Sequence, residues 1–281
     1  MAVKIVTDTG CDLPDDLIQQ HDIHLVPLVL RLGDREVSDT ATSREELWRH
    51  VNAGLPCQTS GPPVGAYEIV YRPLVEAGHQ VVCVTLTGAH SVTYNSAWTA
   101  AQAFPGQVTV VDSCSLSLGY GFQALEAARL AEAGAEPAAI AAALVKMQKR
   151  IQLRFFLESL DQVQRGGRLD SLMPMLNRLG RALNIRALLT FNEEGRIALV
   201  GPARGRRGAK KRLVQDAVAA GPVETLAVAH TRRPEEAGEL ADELAAQLHY
   251  PRGQVMVREI GAVLIAHAGE GVLGVLTIGQ R

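Results

Sequence analysis

Short aliphatic runs recur along this chain, and segments with helical periodicity lie between them. That alternation confines the first half to βα units built around a mainly parallel sheet. Residues 4–7, 24–32, 81–87 and 108–112 have the strand pattern. Ser43-Arg-Glu-Glu46 has the form of a capping box and predicts a helix to about residue 51, closed by Gly54. Further helices are predicted over 64–76, ending at Gly78, and over 91–104, stopped by Pro105-Gly106. Two alanine-rich helices follow, over 121–132 and 137–150.

Beyond residue 152 the texture changes. A strand is predicted over 153–157 and a helix over 172–183. Residues 185–191 and 197–200 read as a hairpin turning at 192–195. Then come a helix over 209–219, a strand over 226–230, a helix over 234–248, and strands over 255–260 and 272–278. A hairpin among βα units predicts a different topology. The 281 residues are therefore divided into an N-terminal α/β domain, 1–152, and a C-terminal α/β domain with a mixed sheet, 153–281.

Aromatic residues make up only 4% against 47% hydrophobic overall, so the interior must be built from Val, Leu, Ile and Ala. The formal net charge of −2 gives no whole-chain attraction to nucleic acid or anionic lipid. Apolar stretches such as 138–145 fall far short of the ~20 residues a membrane span needs, so no stable membrane insertion is expected. The opening Met-Ala-Val-Lys-Ile-Val reads as a first strand and not as a signal peptide. The four cysteines form no Cys-x-x-Cys, which leaves a metal site without support and suits reduced thiols in a cytoplasmic protein.

Five polar and glycine-rich islands sit where strands should end: Thr59-Ser60-Gly61-Pro62, Ser91-Val92-Thr93-Tyr94, Asp112-Ser113, Gly166-Gly167-Arg168 and His267-Ala268-Gly269-Glu270-Gly271. They supply hydroxyls, backbone N–H groups and a cation, the groups that hold an anion. Ser91 is placed as the N-cap of its helix, and an N-cap is also an anion site, because unpaired N–H groups and the helix dipole favour negative charge. Gly166-Gly167-Arg168 would present a planar fork suited to a carboxylate. His267, placed at a strand end before a glycine turn, reads equally as a structural group and as part of the site. Ser91, Asp112 and His267 could form a hydrolytic triad, but no nucleophile elbow surrounds Ser91. Gly119-Tyr-Gly121-Phe-Gln-Ala124 matches a dinucleotide fingerprint in letters, yet Ser113 to Leu118 separate it from its strand. The basic run from Arg204 to Arg212 lacks aromatic platforms for nucleic acid and reads as a solvated helix start or a docking patch.

Taken in order, the islands resemble the DegV family of bacterial fatty-acid-binding proteins, the group that includes the FakB proteins. The resemblance spans the chain: Ile5-Val-Thr-Asp-Thr-Gly-Cys-Asp-Leu-Pro14, Val26-Pro27-Leu28, Thr59-Ser60-x-Pro62, Ser91-x-Thr93-Tyr94, Asp112-Ser113, Gly166-Gly167-Arg168, Arg204-Gly205 and His267-x-Gly269-x-Gly271. It implies two α/β domains with one long-chain fatty acid in a tunnel between them. Its carboxylate would be held by Thr59 and Ser91, within a network of Arg168 and His267, with Ser60 and Val92 in the same site. It also implies that the carboxylate is presented to a separate ATP-dependent fatty acid kinase, whose acyl phosphate product enters phospholipid synthesis. The chain itself would be a carrier with no cofactor and no catalytic residue. The alternative is an acyl-ester hydrolase using Ser91. Val92 replaces a glycine of the family pattern, Arg186-Ala187 replaces Lys-Pro, and Glu270 replaces a proline.

Overall fold

The computed structural model describes residues 2–39, 41–55, 57–158, 174 and 184–280. These fall into two compact units. The first takes the residues up to Lys149 together with Glu193–Gly195 and Gly261–Val263, and the second takes the rest.

In the first unit, β1 (Val3–Asp8), β2 (Ile23–Val26), β6 (Gln80–Thr85) and β7 (Val108–Asp112) form a parallel sheet in the order β2-β1-β6-β7. Helices cover both of its faces, which is why Val81-Val82-Cys83-Val84 is an unbroken buried run and not an alternating one. On one face, α3 (Val64–Glu76) and α4 (Thr93–Ala101) enclose Tyr67, Tyr71, Ala97 and Phe104 against Val6, Val26, Val81 and Cys83. α5 (Leu118–Glu132) and α6 (Pro137–Gln148) pack together and against β1 and β6. A short α1 (Asp15–Gln20) joins β1 to β2.

Residues 24–32 are not one strand. The chain breaks at Pro27-Leu28, and β3 (Val29–Leu32) pairs antiparallel with β4 (Arg35–Ser38) and β5 (Cys57–Ser60) in a separate three-stranded sheet. Proline offers no N–H to a ladder, and the Leu28 N–H turns aside to donate to Thr9 Oγ1 at 2.9 Å. Helix α2 (Ala41–Asn52) begins before Ser43, so Ser43 lies inside it, and Glu46 accepts from Arg35 at 2.9 Å.

The second unit holds a six-stranded mixed sheet, order β10-β9-β8-β13-β11-β12. Its strands are β8 (Ile151–Phe156), β9 (Ile185–Phe191), β10 (Ile197–Arg204), β11 (Val223–His230), β12 (Met256–Glu259) and β13 (Leu273–Gly279). Only β11 and β12 pair in parallel. α7 (Gly205–Ala219) and α8 (Pro234–Gln247) bury Leu213, Val214, Leu240 and Leu244 against Phe156, Leu226, Val228 and Val275. The hairpin of β9 and β10 turns at the expected place, with Gly195 at φ +71°. The chain is thus of the α/β class, with a parallel sheet in the first unit and a mixed sheet in the second. The helix expected over 172–183 lies outside the described residues.

Candidate anion site at the strand ends

The order β2-β1-β6-β7 makes a topological switch between β1 and β6, since the chain leaves β1 toward one edge and later returns on its other side. Ligands of open α/β sheets bind outside the carboxyl ends of the strands at such a switch. Asp8 closes the base of this position. Its Oδ2 accepts the Leu86 N–H at 3.1 Å, and its Oδ1 accepts the Gly10 N–H at 3.2 Å and the Tyr120 hydroxyl.

Beyond Leu86 the β6–α4 loop is held residue by residue. Asp112, at the end of β7, accepts the Gly88 N–H on one oxygen at 3.0 Å and the Cys114 N–H on the other at 2.9 Å. Thr87 Oγ1 accepts the Ala89 N–H at 3.3 Å and donates to the Gly195 carbonyl at 3.1 Å. The loop delivers Ser91 just ahead of α4. Val92 is the capping position, so Ser91 is not the formal N-cap, but its Oγ does accept the N–H of Thr93, the first helical residue, at 3.2 Å. Ser91 Oγ also lies 2.6 Å from the Thr93 hydroxyl.

The Thr59-Ser60-Gly61 island abuts this helix start. A Cβ on Gly61 would lie 2.7 Å from Val92 Cγ2, 3.2 Å from Thr93 Oγ1 and 3.4 Å from the Thr93 nitrogen. The absence of a side chain at Gly61 thus lets the β5–α3 loop lie close against Ser91-Val92-Thr93. Strand alternation puts neighbouring side chains on opposite faces: Thr59 is half-buried, while Ser60 is exposed and donates to the Gly61 carbonyl at 3.1 Å. Val92 is 57% exposed.

The first unit also holds three buried carboxyls, Asp8, Asp12 and Asp39. Asp12 accepts the Gly261 N–H at 2.7 Å and the Ser117 hydroxyl, and Asp39 accepts the Ala262 N–H at 3.0 Å. Burial pushes Asp8 up to about 6, against the pull of its hydrogen bond from Tyr120. Burial likewise pushes Asp12 up to about 7 and Asp39 up to about 6.

Other candidate residues fall elsewhere. Arg168, with Gly166 and Gly167, lies outside the described residues. The run before His267 is not a strand but α9 (Ala262–Ala268), with His267 in its last turn. Val263-Leu-Ile-Ala266 is buried throughout, and an element buried on every side is apolar whether helix or strand. Glu270 lies 3.3 Å from Arg233. The glycines of the dinucleotide-like stretch fall inside α5, where a Cβ on Gly121 would lie 2.3 Å from the Cys11 carbonyl oxygen. That glycine permits close packing of helix against loop and has no phosphate role. Within the basic run, Arg206 is an internal strut. It forks onto Glu236 at 2.6–3.1 Å, bonds Glu158 and the Gly271 carbonyl at 2.6 Å, and lies over the Phe156 ring. The motifs named in the sequence contain Thr93, Asp8 and Asp12 without giving them a site role, and Asp39 lies outside them; an Asp directly ending a strand and a hydroxyl two residues from Ser91 are the available signals. Among the described residues no cluster suits a metal ion, and no helix is long and apolar enough to cross a membrane.

The model of the DegV family, described as a family of uncharacterised proteins, matches residues 2–280. A DegV domain-containing protein of Streptomyces coelicolor is 34% identical, with 98% of this chain and 97% of the relative covered. A fatty-acid-binding DegV family protein from Thermus thermophilus superposes with a TM-score of 0.90 at 32% identity, both chains covered completely. DegV of Bacillus subtilis, a fatty acid binding protein, gives 0.84 at 31% identity, again with complete coverage of both.

Proposed function

Since this chain belongs to the DegV family, we propose that it binds one long-chain fatty acid and presents its carboxylate to a separate fatty acid kinase. The observation that supports this best is the Ser91 turn. A half-buried hydroxyl stands beside a helix start at the carboxyl ends of a parallel sheet, with Gly61 keeping the neighbouring loop close. The first N–H groups of a helix lack intrahelical partners, and the dipole there favours an anion. Structural relatives at 32% and 31% identity are fatty-acid-binding proteins.

Thr59 and Ser91 supply hydroxyl contacts to the carboxylate, Arg168 and His267 complete its surroundings, and Val92 borders it. Ser60 faces away from Thr59 and contributes through the loop. Burying about fifteen methylenes at ~0.8 kcal/mol each gives a gross term near 12 kcal/mol before ordering costs. The head group then needs only enough partners to avoid an unpaired buried charge. The kinase makes acyl phosphate for phospholipid synthesis in the cytoplasm, and the chain is a carrier and not an enzyme.

The acyl-ester hydrolase reading is weakened by the roles that Asp112 and Ser91 already have. Asp112 accepts one backbone N–H on each oxygen and so serves as an anchor of its own loop neighbourhood. Ser91 Oγ is engaged with Thr93. Mass spectrometry of organic extracts from the purified native protein is the test, and close to one long-chain fatty acid per chain is expected. Lipid-free extracts from protein that also takes up no added fatty acid would defeat the proposal. Ester turnover abolished by Ser91→Ala would move the chain to the hydrolase class. Acyl phosphate should form from ATP only when a fatty acid kinase is added.

A further inference from the structure

Thr93 is fully buried, at 0% exposure, and its hydroxyl meets one partner, Ser91 Oγ at 2.6 Å. The direction of that bond decides what Ser91 can recognise. If Ser91 donated to Thr93, the Thr93 hydrogen would be left in the interior with no acceptor, at the full cost of its desolvation. The opposite direction leaves no such orphan. Thr93 then donates to Ser91, and Ser91 also accepts the Thr93 N–H at 3.2 Å.

A serine hydroxyl has two lone pairs and one hydrogen. With both lone pairs occupied by the same threonine, Ser91 keeps only its hydrogen to offer outward. It becomes a donor that cannot accept. The space for this arrangement is provided by Gly61, whose missing side chain leaves Thr93 Oγ1 clear on that side.

Resting on the fatty-acid reading above, we infer that Thr93 is a positioning residue that makes Ser91 an obligate hydrogen-bond donor and so restricts the ligand head to an acceptor-only group, an ionised carboxylate. An alcohol head can accept from Ser91, but its own hydrogen finds no lone pair there. Threonine at 93 thus sets the chemistry of the head group without touching it.

The test compares dodecanoic acid with 1-dodecanol on the delipidated full-length protein, in the wild type, Thr93→Val and Thr93→Ser. Valine keeps the shape and the backbone N–H but removes the hydroxyl. It frees one Ser91 lone pair, and the ratio of alcohol to acid dissociation constants should fall about tenfold. Thr93→Ser restores the donor and should keep the wild-type ratio. A role confined to stability would lower the melting temperature and leave the ratio where it was. If Thr93→Val does not fold, Thr93→Cys, whose thiol is a weak donor, takes its place and should give a reduced ratio. A wild-type ratio in a folded valine or cysteine variant overturns the inference while leaving the fatty-acid reading intact, as does a lowered ratio in Thr93→Ser. A wild-type protein that binds neither probe removes the fatty-acid reading itself, and the inference with it.

Discussion

At the residue scale the proposed head-group site rests on two half-buried hydroxyls, those of Thr59 and Ser91. Hydrogen bonds to a charged group are worth roughly 1.5–3 kcal/mol each. Thr59→Ala or Ser91→Ala should therefore weaken fatty acid binding about ten- to a hundredfold, since ~1.4 kcal/mol is a factor of ten. The fatty methyl ester, which brings no charge, should lose far less, and titration of both ligands against each variant checks this. Equal losses for acid and ester would place the carboxylate elsewhere. Because Ser60 faces away from Thr59 and bonds its own loop, Ser60→Ala should leave acid affinity within about twofold. The hydroxyls of this site were legible as residue types at strand ends. Their directions were not. That Ser60 and Thr59 diverge depends on β5 being a strand, and that Asp112 serves the Gly88 loop depends on β6 and β7 being neighbours. Neither pairing is written in local sequence.

At the scale of elements, the long helices were readable from periodicity and stops, and α3 has the bounds its pattern implies. The small sheet of β3, β4 and β5 was not, because four-residue polar strands such as Cys57–Ser60 carry no period-two signal strong enough to stand out. The run before His267 reads as a strand because burial of Val263, Leu264, Ile265 and Ala266 removes the polar face that marks a helix. Two contacts between elements carry predictions. The Cβ of Gly121→Ala would be driven into the Cys11 carbonyl at 2.3 Å, a rigid backbone atom. It should cost about 1–3 kcal/mol of stability, as over-packing does, readable as a lower urea midpoint at an unchanged slope. Arg206→Ala removes the group that ties Glu158, Glu236 and Gly271 together over Phe156. A loss of about 1–2 kcal/mol is expected: Glu158 keeps Arg186 and Glu236 keeps Lys210, but the Gly271 carbonyl loses its donor and the ring its cation. Unaltered stability in this variant, with slower coupling to a kinase, would return Arg206 to the docking patch its sequence suggested.

At the scale of the whole molecule, the three buried carboxyls of the first unit make stability depend on pH in an uncommon direction. Asp8, Asp12 and Asp39 hold protons up to about 6, 7 and 6 in the folded protein, whereas an unfolded aspartate releases its proton near pH 4. Folded protein therefore binds more protons than unfolded between those limits. Stability from these groups is fully present below about pH 4 and is lost as pH rises through 6 to 7. The surroundings are consistent with that sign. Tyr120 and Cys11 stay neutral, both held up by burial, and Arg44 draws Asp12 and Asp39 down by less than burial pushes them up. His24 and His230 act the other way, because burial lowers both and the unfolded chain gains protons on them below about pH 6.5. Asp12→Asn isolates the carboxyl contribution. The amide oxygen can still accept from Gly261, and the Ser117 hydroxyl can rotate to accept from the amide nitrogen. Melting temperatures measured from pH 5.5 to 8 should fall with rising pH in the wild type and fall less steeply in the variant, which should gain most on the wild type at the alkaline end. Parallel curves would mean that Asp12 is already ionised in the folded protein at pH 5.5, and that its bonds from Ser117 and Gly261 outweigh its burial.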